Sequence, residues 1–189
     1  MRKPAPAALF ACCVAAGVVV AGAGARAETF IVGQAAGLDE DSIAVQGERI
    51  RLWGIDAPDM AQTCQRGGRP WACGRDAARA LDRLVSGKQV RCLVITHDKI
   101  RRLAVGDCTL GGESLSRWMV RNGWAVQNTR QTDAYAKDEA DAKEARRGIW
   151  NSQFEMPWEW RAAARQGAIG RPRERPGRHV ERSEGSFRR

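Results

Sequence analysis

Three short stretches of the 189-residue chain combine carboxylates and arginines in a way that could do phosphate chemistry. They are Asp39–Asp41, Arg51–Asp59 and Asp98–Arg102. Carboxylates at the ends of strands form a site for a hard cation such as calcium, which prefers oxygen ligands. Arginines can donate paired hydrogen bonds to phosphate oxygens, and a further carboxylate can accept a proton from water. A metal ion, a base and two guanidinium groups are what phosphodiester hydrolysis requires.

Runs of alternating apolar and polar residues predict the strands that carry these stretches. The residues Gln46-Gly47-Glu48 predict a hairpin turn, and the polar residues 97–102 predict a second one. Asp56-Ala57-Pro58 ends its strand, because the residue before a proline is held in an extended conformation. The predicted strands cover residues 29–32, 42–45, 49–55, 89–96 and 103–108.

Apolar residues with helical spacing predict three helices, each followed by a glycine stop. They cover residues 76–85, 113–121 and 132–147. The strands come first in the chain, and further strands and helices then alternate. This order predicts an α+β domain over residues 28–160, in which a small barrel carries three helices.

Four cysteines lie in the predicted domain, and an even number in a small exported domain indicates two disulfides. Three connectivities are open. A Cys92–Cys108 bridge would tie the last two strands together, and a Cys64–Cys73 bridge would close the loop before the first helix. A zinc site is the alternative, but the chain has only two histidines and no CxxC pair, which disfavours it.

The first 27 residues have the pattern of a signal peptide. A basic start precedes an apolar run over residues 7–20, and Ala25-Arg26-Ala27 is a small-x-small cleavage site. Cleavage after Ala27 would release a periplasmic or secreted protein without stable membrane insertion. An uncleaved anchor is the alternative, since residues 7–25 are almost long enough to span a bilayer.

The excess positive charge of the chain, +9 overall, lies outside the predicted domain. Residues 28–160 hold 19 basic and 19 acidic residues, whereas residues 161–189 hold nine arginines and three glutamates. The latter segment has almost no large apolar residues, which predicts a basic, disordered tail. Attraction to polyanions through general charge would therefore come from the tail, and the domain must recognise phosphate locally.

Four segments, in order along the chain, resemble motifs of the staphylococcal-nuclease-like (thermonuclease) family. They are Arg51–Pro58, Asp98–Arg102, Val120–Ala125 and Ala140–Trp150, within a match that covers about residues 29–160. The resemblance implies a small five-stranded OB-fold β-barrel with three helices, a fold that commonly binds oligonucleotides.

The resemblance also implies a role for five residues. Arg51 and Arg102 fall on the catalytic arginines, Asp59 on the general base, and Asp41 and Asp56 on the calcium ligands. The implied activity is that of a calcium-dependent endonuclease, which hydrolyses the phosphodiester bonds of DNA or RNA outside the cytoplasm. Its implied partner is single-stranded nucleic acid, and we expect a monomer.

Four departures from the family pattern support an alternative. Asp59 stands where glutamate is usual, and Asp39–Ser42 replaces the usual Asp-Gly-Asp-Thr turn. Ile100-Arg101 replaces Tyr-Gly, and Gln127–Thr129 are polar where aromatic residues would stack on bases. The alternative is a weak or inactive binding protein of the same fold, including one accessory to exopolysaccharide (succinoglycan-type) production.

Overall fold

A computed structural model describes residues 28–100 and 102–170 of the chain. The strands of these residues are β1 (Phe30–Gly37), β2 (Ser42–Val45), β3 (Glu48–Leu52), β4 (Ile55–Asp56), β5 (Cys64–Arg66), β6 (Arg69–Trp71), β7 (Gln89–Asp98), β8 (Leu103–Leu110), β9 (Glu113–Ser114) and β10 (Val126–Gln127). The helices are α1 (Cys73–Val85), α2 (Leu115–Arg121), α3 (Ala136–Glu144) and α4 (Pro157–Gly170), with a 3₁₀ turn at Gly148–Asn151.

Five strands close into a barrel. The antiparallel order is β3-β2-β1-β7-β8, and a parallel pairing of β3 with β8 joins the two ends. In that pairing Arg51 lies opposite Val105, and in the β2–β3 hairpin it lies opposite Ser42. The predicted α+β class and five-stranded barrel are confirmed. The number of helices was wrong by one, because α4 follows the three that were predicted.

Alternation along the strands turns one set of side chains into the barrel and the other toward solvent. Ile43, Ile50, Leu52 and Val90 are fully buried in this core. Helix α1 covers one end of it, because its apolar residues recur at helical spacing. Gly37 permits this contact, since a Cβ atom there would lie 2.6 Å from Cα of Asp82.

Both predicted disulfides are present. Cys64 pairs with Cys73, with 5.7 Å between their Cα atoms, and Cys92 pairs with Cys108 across β7 and β8. The first bridge joins β5 to the start of α1, so it fixes the β5–β6 hairpin against that helix. Each closed loop stabilises the fold by about 3 kcal/mol in the chain-entropy model.

A second apolar cluster fixes the end of the domain. Ile149 and Val126 are buried in it beside the Cys64–Cys73 bridge, and Trp150, Phe154 and Met156 pack against it. The backbones of Gln65 and Gln153 exchange two hydrogen bonds of 2.8 Å. The chain that leads into α4 is therefore attached to the β5–β6 hairpin.

Helix α4 corrects the predicted boundary of the tail. Residues 161–170 were predicted to be disordered, but they continue the helix that begins at Pro157. Proline is favoured at the first position of a helix, and alanine and arginine follow it. The predicted signal peptide and residues 171–189 of the tail lie outside the described residues. Within the described part, no helix is both long and apolar enough to cross a membrane.

Candidate active site

A cavity of about 270 Å³ opens at one end of the barrel, and most of its lining is charged. It lies where the β1–β2 turn, strand β3, the β4 region and the second turn of α4 meet. Its charged lining residues are Asp39, Glu40, Asp41, Asp56, Asp59, Arg49, Arg51 and Arg161. Four of the five residues singled out in the sequence, Arg51, Asp41, Asp56 and Asp59, therefore share one cavity.

The turn between β1 and β2 places Asp41. Its backbone carbonyl accepts a hydrogen bond from Leu52 N at 2.8 Å, which holds the turn against the end of β3. The hydroxyl of Ser42 donates to Oδ1 of Asp41 at 2.9 Å. Burial and the nearby Asp39 raise the pKa of Asp41, while the Ser42 hydrogen bond and Arg51 oppose that rise. Asp41 is therefore a carboxylate that a cation would stabilise in its charged form.

Glu40, in the same turn, is the carboxyl group of the cavity whose charged form is least favoured. Burial is the main cause that raises its pKa from 4.5 to about 8, and the carboxylates of Asp41, Asp39 and Asp59 add to it. Its Oε2 atom is buried, and no hydrogen-bond partner for it exists among the described residues. In the sequence this residue stands out only as an extra charge in the turn.

Asp56 and Asp59 are placed by the segment that follows β3. Asp56 pairs with Val126 in the short β4–β10 ladder. The backbone of Asp59 accepts a hydrogen bond from Gln62 N at 2.7 Å. Gly74, in the first turn of α1, lies so close that a Cβ atom there would be 1.8 Å from the carbonyl oxygen of Asp59. Only glycine allows α1 to support Asp59 at this distance.

Arg161 connects the two carboxylates, and it is a residue that the sequence motifs did not reveal. Its Nη2 donates to Oδ2 of Asp56 at 2.6 Å, and its Nη1 donates to Oδ1 of Asp56 at 3.0 Å and to Oδ2 of Asp59 at 2.9 Å. The hydrogen bond with Asp56 is the main cause that raises the pKa of Arg161. No motif spacing relates Arg161 to Asp56, which lies 105 residues earlier.

The two arginines predicted from the sequence are placed differently. Arg51 is half-buried in β3, lines the cavity and lies 3.7 Å from Oδ2 of Asp98. Arg102 is exposed in the β7–β8 turn, with a backbone φ of 53°. The next residue, Leu103, lines the cavity, but Arg102 is not among the lining residues within the described part of the chain.

The residues present fit a hard cation by their chemistry. Asp41, Asp56 and the partnerless oxygen of Glu40 are all hard oxygen donors at one cavity. In residues 28–100 and 102–170, no three His, Cys, Asp or Glu side chains form a ready-made metal cluster. Calcium also accepts backbone carbonyls and waters as ligands, so Asp41 and Asp56 would hold it with such groups. The guanidinium of Arg161 lies on Asp56 in this structure.

Two uncharged residues of the cavity, Gln131 and Asn128, were not predicted to belong to the site. Gln131 accepts a hydrogen bond from Gly54 N at 2.9 Å, and Asn128 N donates to the carbonyl of Gly54 at 2.9 Å. Both residues line the cavity. The polar residues after β10, which depart from the aromatic stacking positions of the family, thus support the turn between β3 and β4.

Comparison with known families identifies a family for this chain. The family described as staphylococcal nuclease homologue matches residues 49–152, more than half of the chain. The matched region contains Arg51, Asp56, Asp59 and Arg102. The β1–β2 turn and Arg161 lie outside it.

Individual relatives include bacterial, plant and fungal proteins. The chain is 36% identical over 145 residues to the succinoglycan biosynthesis protein ExoI of Rhizobium meliloti (strain 1021), which covers 75% of this chain and 73% of that protein. It is 35% identical to the probable staphylococcal-like nuclease CAN3 of Oryza sativa subsp. japonica over 69% of this chain and 33% of that protein. A probable endonuclease, LCL3 of Schizophyllum commune, is 29% identical over 64% and 47% of the two chains. The chain thus spans about a third of the rice relative's length.

Proposed function

The chain belongs to the staphylococcal nuclease homologue family, and from this premise we propose that it is a calcium-dependent endonuclease acting on DNA or RNA. The observation that carries the proposal is the cavity shared by Arg51, Asp41, Asp56 and Asp59. These residues come from three separate segments, and the closed barrel brings their side chains to one opening. A carboxylate cluster beside a guanidinium is suited to a phosphodiester with a cation.

Each side chain has a task in the proposed reaction. Asp59 accepts a proton from the water whose oxygen forms the new bond to phosphorus. The bond from phosphorus to the 5′ oxygen breaks, and that oxygen leaves with a proton from solvent. Arg51 donates hydrogen bonds to the non-bridging phosphate oxygens, where negative charge increases in the transition state.

Calcium would be held by Asp41 and Asp56, and when bound it supplies positive charge that polarises the phosphate. The half-buried Glu40 would change the net charge of this site when it gains or loses a proton. Arg102 lies one residue before the cavity lining, at the tip of the β7–β8 hairpin. In the proposal its guanidinium closes on the phosphate only when substrate is bound.

The proposed setting is outside the cytoplasm. Two disulfides in a small domain favour an oxidising compartment, and the predicted signal peptide over residues 1–27 agrees with it. The proposed substrate is single-stranded nucleic acid, because a half-open cavity at a barrel end admits a single chain more readily than a duplex. A monomer is sufficient for this site, since every residue given a task belongs to one chain.

The test is digestion of a single-stranded DNA and a single-stranded RNA by the purified protein. It is run with calcium and with chelator, beside Arg51→Ala and the exposed control Arg79→Ala. We expect cleavage that requires calcium, is lost in Arg51→Ala and is retained in Arg79→Ala. Absence of cleavage at high concentrations of folded protein would refute the nuclease.

A second candidate function is a binding protein of the same fold without useful catalysis. Two observations favour it: Arg161 engages both Asp56 and Asp59, and one relative is named for succinoglycan biosynthesis. In that case the cavity would bind an anionic chain, such as an exopolysaccharide or nucleic acid. Binding of a fluorescent oligonucleotide or acidic polysaccharide, without cleavage in calcium, would favour this candidate.

A further inference from the structure

Arg161 satisfies the same oxygen atoms that a metal ion would need. Both oxygens of Asp56 accept hydrogen bonds from its guanidinium, and Asp59 contributes a third contact. Only 13% of the Asp56 side chain remains exposed. A planar guanidinium that grips a carboxylate with both nitrogens forms the strongest kind of charged hydrogen-bond pair. In this structure the arginine therefore offsets part of the negative charge of the cavity.

The start of α4 is in contact with the rest of the domain, whereas residues 163–167 of the helix are exposed. Pro157 is buried, and the carbonyl of Glu155 accepts a hydrogen bond from Gln62 Nε2 at 2.7 Å. Residues 163–167 are exposed throughout. Arg161 stands at the border between these parts, so its ion pairs attach the exposed part of α4 to the barrel. Breaking them would free that part and leave the Gln62–Glu155 hydrogen bond in place.

A calcium ion and the Arg161 guanidinium cannot both use Asp56 in this arrangement. The ion would need at least one Asp56 oxygen, and both already accept hydrogen bonds from Arg161. Two cations at neighbouring positions in a half-buried cavity also repel each other. Binding of the ion therefore requires the arginine to move away, which lowers the apparent affinity by the fraction of molecules in which it has moved.

We propose that Arg161 is an internal cation that occupies the Asp56–Asp59 pair in the calcium-free protein, and that calcium binds by exchanging with it. The proposal rests on the calcium site of the proposed function. It makes α4 a helix that holds a positive charge on the Asp56–Asp59 pair until calcium is present.

The direct test is a calorimetric titration of calcium into the wild type, Arg161→Gln and the matched control Arg165→Gln. Both substitutions remove one positive charge from α4, but Arg165 is exposed one turn further along. We expect Arg161→Gln to bind calcium at least tenfold more tightly than the wild type, and Arg165→Gln to bind it within twofold of the wild type. Arg161→Lys, which keeps the charge but not the paired hydrogen bonds, should fall between them.

Amide hydrogen exchange of α4 provides a second readout that does not depend on catalysis. In the wild type, calcium should speed exchange in residues 161–167 by at least tenfold. In Arg161→Gln these amides should exchange rapidly with or without calcium. Circular dichroism would establish that each variant is folded before either measurement is interpreted.

Two results would refute the replacement of Arg161 by calcium, and they have different consequences for the nuclease proposal. Equal calcium affinity in wild type, Arg161→Gln and Arg165→Gln, with amide hydrogen exchange of α4 unchanged by calcium, would refute the role of Arg161. The nuclease proposal would then remain intact. A lack of calcium binding in every variant would refute both the exchange and the calcium site. Nuclease assays with other divalent ions would then decide whether cleavage survives.

Discussion

Asp41 and Asp56 stand where strands of the barrel end, whereas Arg102 stands at the tip of a hairpin. We call Asp39, Glu40, Asp41, Asp56 and Asp59 the acidic wall, and Lys99, Ile100 and Arg102 the hairpin tip. The acidic wall is half-buried and tied to the barrel by backbone hydrogen bonds. The hairpin tip is exposed, with Ile100 at 95%.

This difference has a structural cause. Asp39, Glu40 and Asp41 follow β1, which pairs with both β2 and β7, and Asp56 is paired in the β4–β10 ladder, so this backbone has little freedom. The hairpin tip belongs to a two-strand extension, where turn residues alone set the conformation. In the proposed nuclease, the acidic wall would give the cation a fixed place and the hairpin tip would give the phosphate an adjustable one.

Asp59→Asn should have the largest effect on the acidic wall. Removing the general base should lower the cleavage rate by about a thousandfold, because the amide cannot accept the proton from water. Single-turnover cleavage of a single-stranded oligonucleotide in calcium measures it. Asp107→Asn, a half-buried aspartate outside the cavity, is the control, and an equal loss in both variants would contradict the assignment of the base.

Arg51→Ala and Arg102→Ala should have similar effects on cleavage but different effects on stability, which tests the difference between the acidic wall and the hairpin tip. Each should slow cleavage by about a hundredfold, since each removes a donor to the transition state. Only Arg51→Ala should also lower the stability of the substrate-free protein, by about 1 kcal/mol, because it removes a cation that lies beside the half-buried Asp41.

Urea denaturation of both variants, without substrate, measures this difference. Equal stability of the two would show that Arg51 is as loosely held as Arg102. A large loss of stability in Arg102→Ala would mean that the hairpin tip is part of the folded core.

Gly74→Ala should displace Asp59 of the acidic wall. The added methyl group would collide with the Asp59 backbone, so α1 or Asp59 must shift by about 1 Å. A misplacement of that size in a reacting group costs about a hundredfold in rate, and overpacking costs about 1–3 kcal/mol of stability.

The control for this prediction is Gly167→Ala, because a Cβ atom at Gly167 would meet no described atom within 4 Å. Gly74→Ala should have both a lower cleavage rate and a lower melting temperature than Gly167→Ala. Full activity in Gly74→Ala would show that Asp59 is not held by α1.

The last expected effect is the pH dependence of stability without calcium. The folded protein raises the pKa of Glu40 from 4.5 to about 8, so between these values it binds the proton more tightly than the unfolded chain does. The free energy of unfolding should therefore fall as the pH rises from about 5 to 8. Urea denaturation in chelator measures the slope.

Glu40→Gln should flatten that slope, whereas Glu48→Gln, an exposed substitution in the neighbouring hairpin, should leave it unchanged. Calcium should also flatten the wild-type slope, because it favours the charged acidic wall. A slope of the same size in Glu40→Gln would assign the pH dependence to another group.

Local sequence patterns were sufficient for the parts of the fold that are close along the chain. The Asp41–Arg51 neighbourhood follows from one hairpin, since a two-residue turn fixes which residues face each other. The disulfide of Cys92 with Cys108 follows from two neighbouring strands. The parallel pairing of β3 with β8 does not follow from a local pattern, because closure of a barrel depends on the tilt of all its strands.

Arg161 could not be predicted for a different reason. The composition of residues 161–189 is that of a disordered tail, and the average over that segment concealed a helix that continues from Pro157. The helix is attached by the Gln65–Gln153 pairing and by ion pairs with Asp56 and Asp59. These are long-range contacts, and no spacing in the sequence signals them.

The most direct test of the nuclease assignment is an end-group analysis of products from single-stranded DNA. Wild-type protein in calcium should yield fragments with 3′-phosphate and 5′-hydroxyl ends, because the 5′ oxygen is the proposed leaving group. Chelator and Asp59→Asn should both abolish these fragments. Fragments with 5′-phosphate ends, or equal amounts from Asp59→Asn, would contradict the assignment of the reaction to this cavity.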